Sequence, residues 1–179
     1  MRPIKWEQGK LFLLDQRALP HNLDYFVCES STKVHEAIEK MVVRGAPAIG
    51  IAAAYGLVLA SKEVISKPET ERKQYLIEQG KLLKSARPTA VNLSWSVNFL
   101  LELIQTLDEA DFTAELEKTA VRLDSEDFES NLKMGDLGSG LLKKGARVLT
   151  HCNAGSLATT GYGTALGVIR SGHRKALVS

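Results

Sequence analysis

Three short runs carry residue types that chemistry can use: Arg44-Gly45-Ala46-Pro47-Ala48-Ile49-Gly50, Arg87-Pro88-Thr89-Ala90-Val91-Asn92-Leu93 and His151-Cys152-Asn153-Ala154-Gly155-Ser156. In the last, Cys152 is the candidate nucleophile. Residues 146–150 read as a short buried strand and a helix is expected from near Ser156, so the thiol falls on a strand-to-helix turn, where open α/β sheets hold their ligands. The free amides of a helix start would bias such a thiol toward thiolate. A lone cysteine at a strand end also serves simply as a small buried hydrophobe, and spacing leaves both readings open. His151 makes no dyad with Cys152 by adjacency, because neighbouring side chains on a regular strand point to opposite faces.

The other two runs offer guanidinium groups at corners. Gly45 suits the left-handed end of one helix and Pro47 the first turn of the next, which puts Arg44 beside a fresh helix N-terminus. Pro88 holds Arg87 out of the helical region and fixes a second corner. Amide donors together with a guanidinium fork suit a phosphate, and two such corners suggest one shared anion site. The plainer reading of each is an exposed arginine satisfying helix-end carbonyls.

The elements that must position these groups are legible from periodicity. Ile4–Glu7 and residues 10–15 flank Gln8-Gly9 as a hairpin, and a third strand is expected at Tyr25–Cys28, with Cys28 structural. A helix should run from Ser31 or Thr32 to Arg44 on the stripe Val34, Ala37, Ile38, Met41 and Val42, leaving His35 in solvent. Residues 45–61 carry no charge, but the stretch is short for a bilayer and broken by Pro47, Gly50 and Gly56, so it reads as a buried helix. Further helices are expected at residues 69–86, from a cap at Ser94 through Leu107, and at about residues 111–134, where Asp127 and Asn131 share a face. Gly135, Gly138 and Gly140 are expected to loosen the chain beyond it.

Composition sets outer limits. With 179 residues, 44% hydrophobic and 25% charged, the chain belongs to the ordinary soluble globular class. A net charge of +2 gives no electrostatic reason to expect nucleic acid or an anionic membrane as partner. Cys28 and Cys152 are too few for a disulfide framework or a zinc site, which fits a reducing cytosol. The first sixteen residues have no apolar signal core, so no export is indicated. Residues 176–178 look like the start of a strand with nothing to pair with. The sequence therefore reads as cut short, with residues 1–134 the expected stable part and the segment from 146 onward protease-sensitive or paired with another chain.

Taken together with Leu14-Asp15-Gln16 and Leu19-Pro20, the three runs closely resemble the S-methyl-5-thioribose-1-phosphate isomerase family of methionine salvage. The resemblance implies an α+β N-terminal domain, mainly helical with a small antiparallel β-sheet, over residues 1–134. It implies next the truncated start of a Rossmann-like α/β domain over residues 135–179. It further implies an aldose-ketose isomerase acting on a phosphosugar with no metal or organic cofactor, a homodimer in full-length form, cytoplasmic, without nucleic-acid or membrane partners. The family's substrate-binding Arg-Gly-Ala falls on Arg44, Gly45 and Ala46, its second binding arginine on Arg87, and its catalytic cysteine on Cys152. Family members continue well past this length, and the further part holds a catalytic aspartate, a binding glutamine and an asparagine-lysine pair. Turnover by the 179-residue chain alone is therefore not expected. Ribose-1,5-bisphosphate isomerase and the regulatory subunits of the initiation-factor-2 exchange factor share this architecture, the latter as binding scaffolds. Cys152 beside two arginine motifs favours the thiosugar enzyme.

Overall fold

The computed structural model describes residues 2–107 and 112–178. Three strands, β1 (Ile4–Glu7), β2 (Lys10–Leu14) and β3 (Tyr25–Cys28), form an antiparallel sheet in the order β1-β2-β3. Gln8 and Gly9 both take positive φ, 52° and 74°, as the tight β1-β2 hairpin demands. The register places Ile4 opposite Leu13 and Leu11 opposite Cys28, and all four are fully buried. Alternation along the strands thus turns one face of the sheet into the core.

Five helices follow: α1 (Ser31–Glu39), α2 (Ala46–Glu63), α3 (Glu69–Ser85), α4 (Val91–Thr106) and α5 (Phe112–Ser139). Then come a 3₁₀ turn at Ser156–Ala158 and a last helix, α6 (Ala165–Arg174). The mainly helical fold with a small antiparallel sheet is the expected one. At its centre, α2 is buried continuously from Ala48 to Ser61 and packs against α1, α3, α4, α5 and the sheet. A helix that is apolar on all sides must lie inside the protein, and small residues let its neighbours close in. No helix among the described residues is long and apolar enough to cross a membrane.

Several boundaries depart from the sequence expectation, each for a local reason. The first helix stops at Glu39 instead of Arg44: Met41 adopts φ 58°, Val42 N donates to Ala37 O at 2.9 Å and Met41 N to Ile38 O at 3.2 Å. That is a Schellman closure without glycine, and it turns Val42 and Val43 into the core while exposing Met41. The fourth helix starts at Val91, one turn before Ser94, whose amide already bonds to Ala90 O.

In α5, Gly135 and Gly138 do not loosen the chain; the helix continues through them to Ser139. A Cβ on Gly135 would sit 2.7 Å from Tyr162 Cε1, and one on Gly138 2.6 Å from Val168 Cγ2, so both glycines admit the α6 region. That contact outweighs a helix-propensity cost of about 1 kcal/mol for each.

The expected buried strand at residues 146–150 does not form, Leu149 being 97% exposed, and residues 176–178 form no strand either. A strand needs a neighbour, and among the described residues none lies alongside. Instead the chain returns on itself, with the amides of Gly145 and Ala146 both donating to Leu177 O. The long helix expected from Ser156 is a single 3₁₀ turn, and the α-helix begins only at Ala165.

Candidate active site

The site begins where two backbone segments nearly touch. Gly45, at φ 101°, presents its Cα to the 3₁₀ turn, and a Cβ there would stand 2.4 Å from Ala158 Cα. Gln16, buried just beyond β2, clasps both segments: its amide donates to Val42 O at 3.0 Å and its Nε2 to Leu157 O at 2.8 Å. Residue 44 is thereby held against the loop that follows Cys152.

That loop is fixed from within and from below. Gly155 and Gly163 bridge across it, Gly163 taking φ 94°, and Thr164 N donates to Ala154 O at 2.9 Å. Thr159 Oγ1 accepts from the amides of Gly161 and Gly163 at 3.2 and 3.1 Å. From α5, Asp127 Oδ2 accepts from both the amide and the hydroxyl of Thr160, at 2.9 and 2.8 Å. The helix face shared by Asp127 and Asn131 therefore braces the loop: buried Asn131 donates back to Asp127 O at 2.7 Å.

Between corner, loop and α6 lies a cavity of about 380 Å³, whose lining includes Gln16, Arg44, Cys152, Leu157, Leu166 and Arg170. Cys152 is exposed and sits at φ 68°, a left-handed conformation that costs a non-glycine residue on the order of 1 kcal/mol. The turn has thus begun at Cys152 itself, and the regular-strand argument that turned His151 away from it does not apply locally; both are exposed. The expectation of a buried hydrophobic thiol is likewise not met.

Of the residues singled out from sequence, the structure brings Arg44, Gly45 and Cys152 together, with Ala46 opening α2 behind them. Arg87 is half-buried and does not line this cavity. Its corner acts on α2 through Asn92, whose carbonyl lies 3.0 Å from where a Cβ on Gly50 would be. Gln16 and Arg170 were not read as site residues. For Arg170 the signal was available, since Leu166 and Arg170 stand i, i+4 on one helix face.

A second cavity of about 250 Å³ lies between α2, α4 and α5 and is lined by Pro47, Asn92, Trp95, Glu126 and Asp127. Two carboxylates make it a poor place for a phosphate. The first cavity has two arginines and no acid in its lining.

The two thiols differ in accessibility and chemistry. Cys28 is fully buried, and burial pushes its pKa up to about 12, whereas Cys152 opens to solvent. Brief iodoacetamide treatment of the folded protein at pH 7.5 is expected to modify Cys152 and spare Cys28. Peptide mapping by mass spectrometry reads the result, and equal or faster labelling of Cys28 would refute it.

Residues 42–178 match the Initiation factor 2 subunit family, and the chain belongs to that family. Within it, the chain is 48% identical to a methylthioribose-1-phosphate isomerase of Alkalilimnicola ehrlichii, over 96% of this chain and 49% of that one. It is 46% identical to the isomerase of Caldicellulosiruptor saccharolyticus, over 95% and 50%. The crystal structure of 5-methylthioribose 1-phosphate isomerase from Pyrococcus horikoshii OT3 superposes with a TM-score of 0.92 at 36% identity, covering 99% of this chain and 50% of that chain. The structure of translation initiation factor eIF-2B, subunit delta, from A. fulgidus gives 0.88 at 40% identity, covering 99% and 53%. The chain spans about half the length of the curated relatives it matches.

Proposed function

We propose that this chain supplies the thiol-bearing phosphosugar site of a methylthioribose-1-phosphate isomerase, which converts S-methyl-5-thio-α-D-ribose 1-phosphate to S-methyl-5-thio-D-ribulose 1-phosphate. The observation that carries the reading is one acid-free cavity shared by Arg44 and the exposed thiol of Cys152. Phosphate on the anomeric carbon locks the sugar ring, so the ring oxygen must be protonated as its bond to carbon one breaks. A hydrogen then leaves carbon two and one arrives at carbon one, while the carbon-two hydroxyl becomes the ketone. In this reading Arg44 and the first turn of α2, opened by Gly45 and Ala46, hold the phosphate. Cys152 lies at the reacting end and assists ring opening. Arg87 enters through the likeness of its motif to the family's second binding arginine, and its corner steadies α2 through Asn92.

The lining of the cavity contains no carboxylate or imidazole to carry the proton. In the proposed full enzyme that group is the aspartate of a Rossmann-like domain beginning near residue 135, within a cytoplasmic homodimer. The test is turnover of methylthioribose 1-phosphate. The purified 179-residue chain is expected to show none, because groups that act as a unit lose most of their effect when one is removed. The same sequence joined to the second half of the Alkalilimnicola relative is expected to turn over and to lose that activity with Cys152→Ser. An inactive joined protein that folds and dimerises would reject the enzyme reading.

The 40% identity to the eIF-2B delta structure supports a second reading, a non-catalytic binding subunit. It predicts that Cys152→Ser changes nothing measurable.

A further inference from the structure

We infer that Gln16 is a further substrate-binding residue of the Cys152 cavity, its side-chain oxygen accepting from the carbon-two hydroxyl of the sugar; the inference rests on the phosphosugar reading above. Gln16 is only 7% exposed and lines the cavity. Chemistry sets its orientation, because Leu157 O can only accept and the group that meets it at 2.8 Å is therefore the amide nitrogen Nε2. Oε1 is then the other prong, and among the described residues no group donates to it. It is not sealed in the core either. The fully enclosed side-chain oxygens without a partner, among the described residues, are Ser96 Oγ, Asn131 Oδ1 and Thr150 Oγ1. The little surface that Gln16 keeps thus includes Oε1, and the cavity is the space it opens on. A nearly buried acceptor without a partner costs free energy until a donor reaches it.

The rest of the lining narrows the kind of donor. Arg44 and Arg170 carry donors only, which suit phosphate oxygens and not a hydroxyl proton. Asn153 and Ser156 can accept, but Asn153 is exposed and, among the described residues, no side-chain hydrogen bond fixes either of them. Gln16 is held at both ends: its backbone amide donates to Val42 O at 3.0 Å, two residues before Arg44, and Nε2 to the turn that follows Cys152. An acceptor fixed between the phosphate corner and the thiol loop faces the part of the sugar that joins the two. Phosphate occupies carbon one, so the neighbouring hydroxyl is the one on carbon two, which becomes the ketone. An amide oxygen cannot take its proton; Gln16 orients this hydroxyl and selects for it, leaving the proton to another group. A sugar that lacks the hydroxyl leaves Oε1 desolvated and unpaired, which is how a fixed acceptor discriminates.

Cys152 lines the same cavity, so occupancy can be read as its protection from iodoacetamide. The 179-residue protein is titrated with ribose 1-phosphate, 2-deoxyribose 1-phosphate and inorganic phosphate, with circular dichroism confirming the fold of each variant. Unaltered protein is expected to need about five- to tenfold less ribose 1-phosphate than 2-deoxyribose 1-phosphate for half protection. Gln16→Met removes the acceptor and should bring that ratio close to one. A role in holding Leu157 alone would weaken both sugar phosphates equally and leave the ratio standing. Gln16→Glu keeps an oxygen in place and should retain the preference, while its added charge weakens every anion. If Gln16→Met does not fold, Gln16→Asn decides by the same ratio, because its oxygen stands one methylene further back. Equal affinity of the unaltered protein for the two sugar phosphates, or a preference that survives Gln16→Met or Gln16→Asn, would overturn the role of Gln16 and leave the phosphosugar reading standing. No protection by any of the three anions would overturn both.

Discussion

Replacing Gly45 by alanine is expected to destabilise the protein by roughly 2–4 kcal/mol and to separate Arg44 from Cys152. Two independent costs meet at this residue. Its φ of 101° lies where side-chain-bearing residues are strained. The new methyl would also stand 2.4 Å from Ala158 Cα and 2.6 Å from Ala158 O. Those are backbone atoms that cannot swing aside, and the turn that owns them is held by Gln16 through Leu157 O and by the Asp127–Thr160 bonds behind it. Relief therefore requires the corner and the loop to part, which opens the cavity as well as weakening the fold. Gly155→Ala is the matched control: its new Cβ would meet only the tip of Leu166, at 3.1 Å, and its backbone is extended, so little change is expected. Urea midpoints and Cys152 labelling on both variants test this. Equal stability of the two would show that the close approach at Ala158 is not a constraint of the folded state.

The sheet and the first four helices were legible because each has one dominant pattern: alternation at Ile4, Leu11 and Leu13, and helical spacing at Val34, Ala37 and Ile38. What escaped was set by tertiary contact. Gly135 and Gly138 look like helix breakers until Tyr162 and Val168 are seen to occupy the space their missing side chains leave. Met41 holds a left-handed conformation that sequence assigns to Gly45, because burying Val42 and Val43 rewards the earlier turn. Residues 146–150 have the composition of a buried strand, yet a strand is defined by its neighbour, and composition cannot say whether one is there.

The site divides along the same line. Arg44, Gly45 and Cys152 could be singled out as candidates because each sits in a run of residues with restricted geometry. Arg170 lies in an ordinary amphipathic helix and acquires its place only when the loop at 154–164 folds back to bring α6 beside the corner. Arg87 shows a different limit, since it does not line this cavity. Its corner is as rigid as that of Arg44, but rigidity fixes where a side chain starts and not which cavity it reaches.

A buried charge ties the start of the chain to α5, and removing its partner should show a pH signature. Asp124 on α5 is buried, bonded by Arg2 at 2.8 Å and by the Tyr55 hydroxyl at 3.1 Å. Burial raises its pKa above the ordinary value of 3.8, while the Arg2 charge and the Tyr55 hydrogen bond oppose the rise. A carboxylate with a raised folded-state pKa contributes stability that is complete below its unfolded pKa and is lost as pH climbs through the folded one. Arg2→Met removes the largest opposing influence, so it should raise the folded pKa further and deepen the loss at neutral pH. The expected cost at pH 7 is roughly 2–3 kcal/mol, below that of a fully buried pair because Arg2 is 40% exposed. As pH falls toward the ordinary aspartate value, Asp124 protonates in both proteins and the gap should shrink to the lost contact of Arg2 with the Phe128 ring, about 0.5–1 kcal/mol. Adding Asp124→Asn to Arg2→Met removes the stranded charge and should restore part of the stability at pH 7. Urea unfolding of the single and double variants between pH 4 and pH 8 provides the measurement. A cost that stays constant across that range, or a double variant weaker than Arg2→Met alone, would mean that Arg2 acts by packing on Phe128 and not by neutralising Asp124.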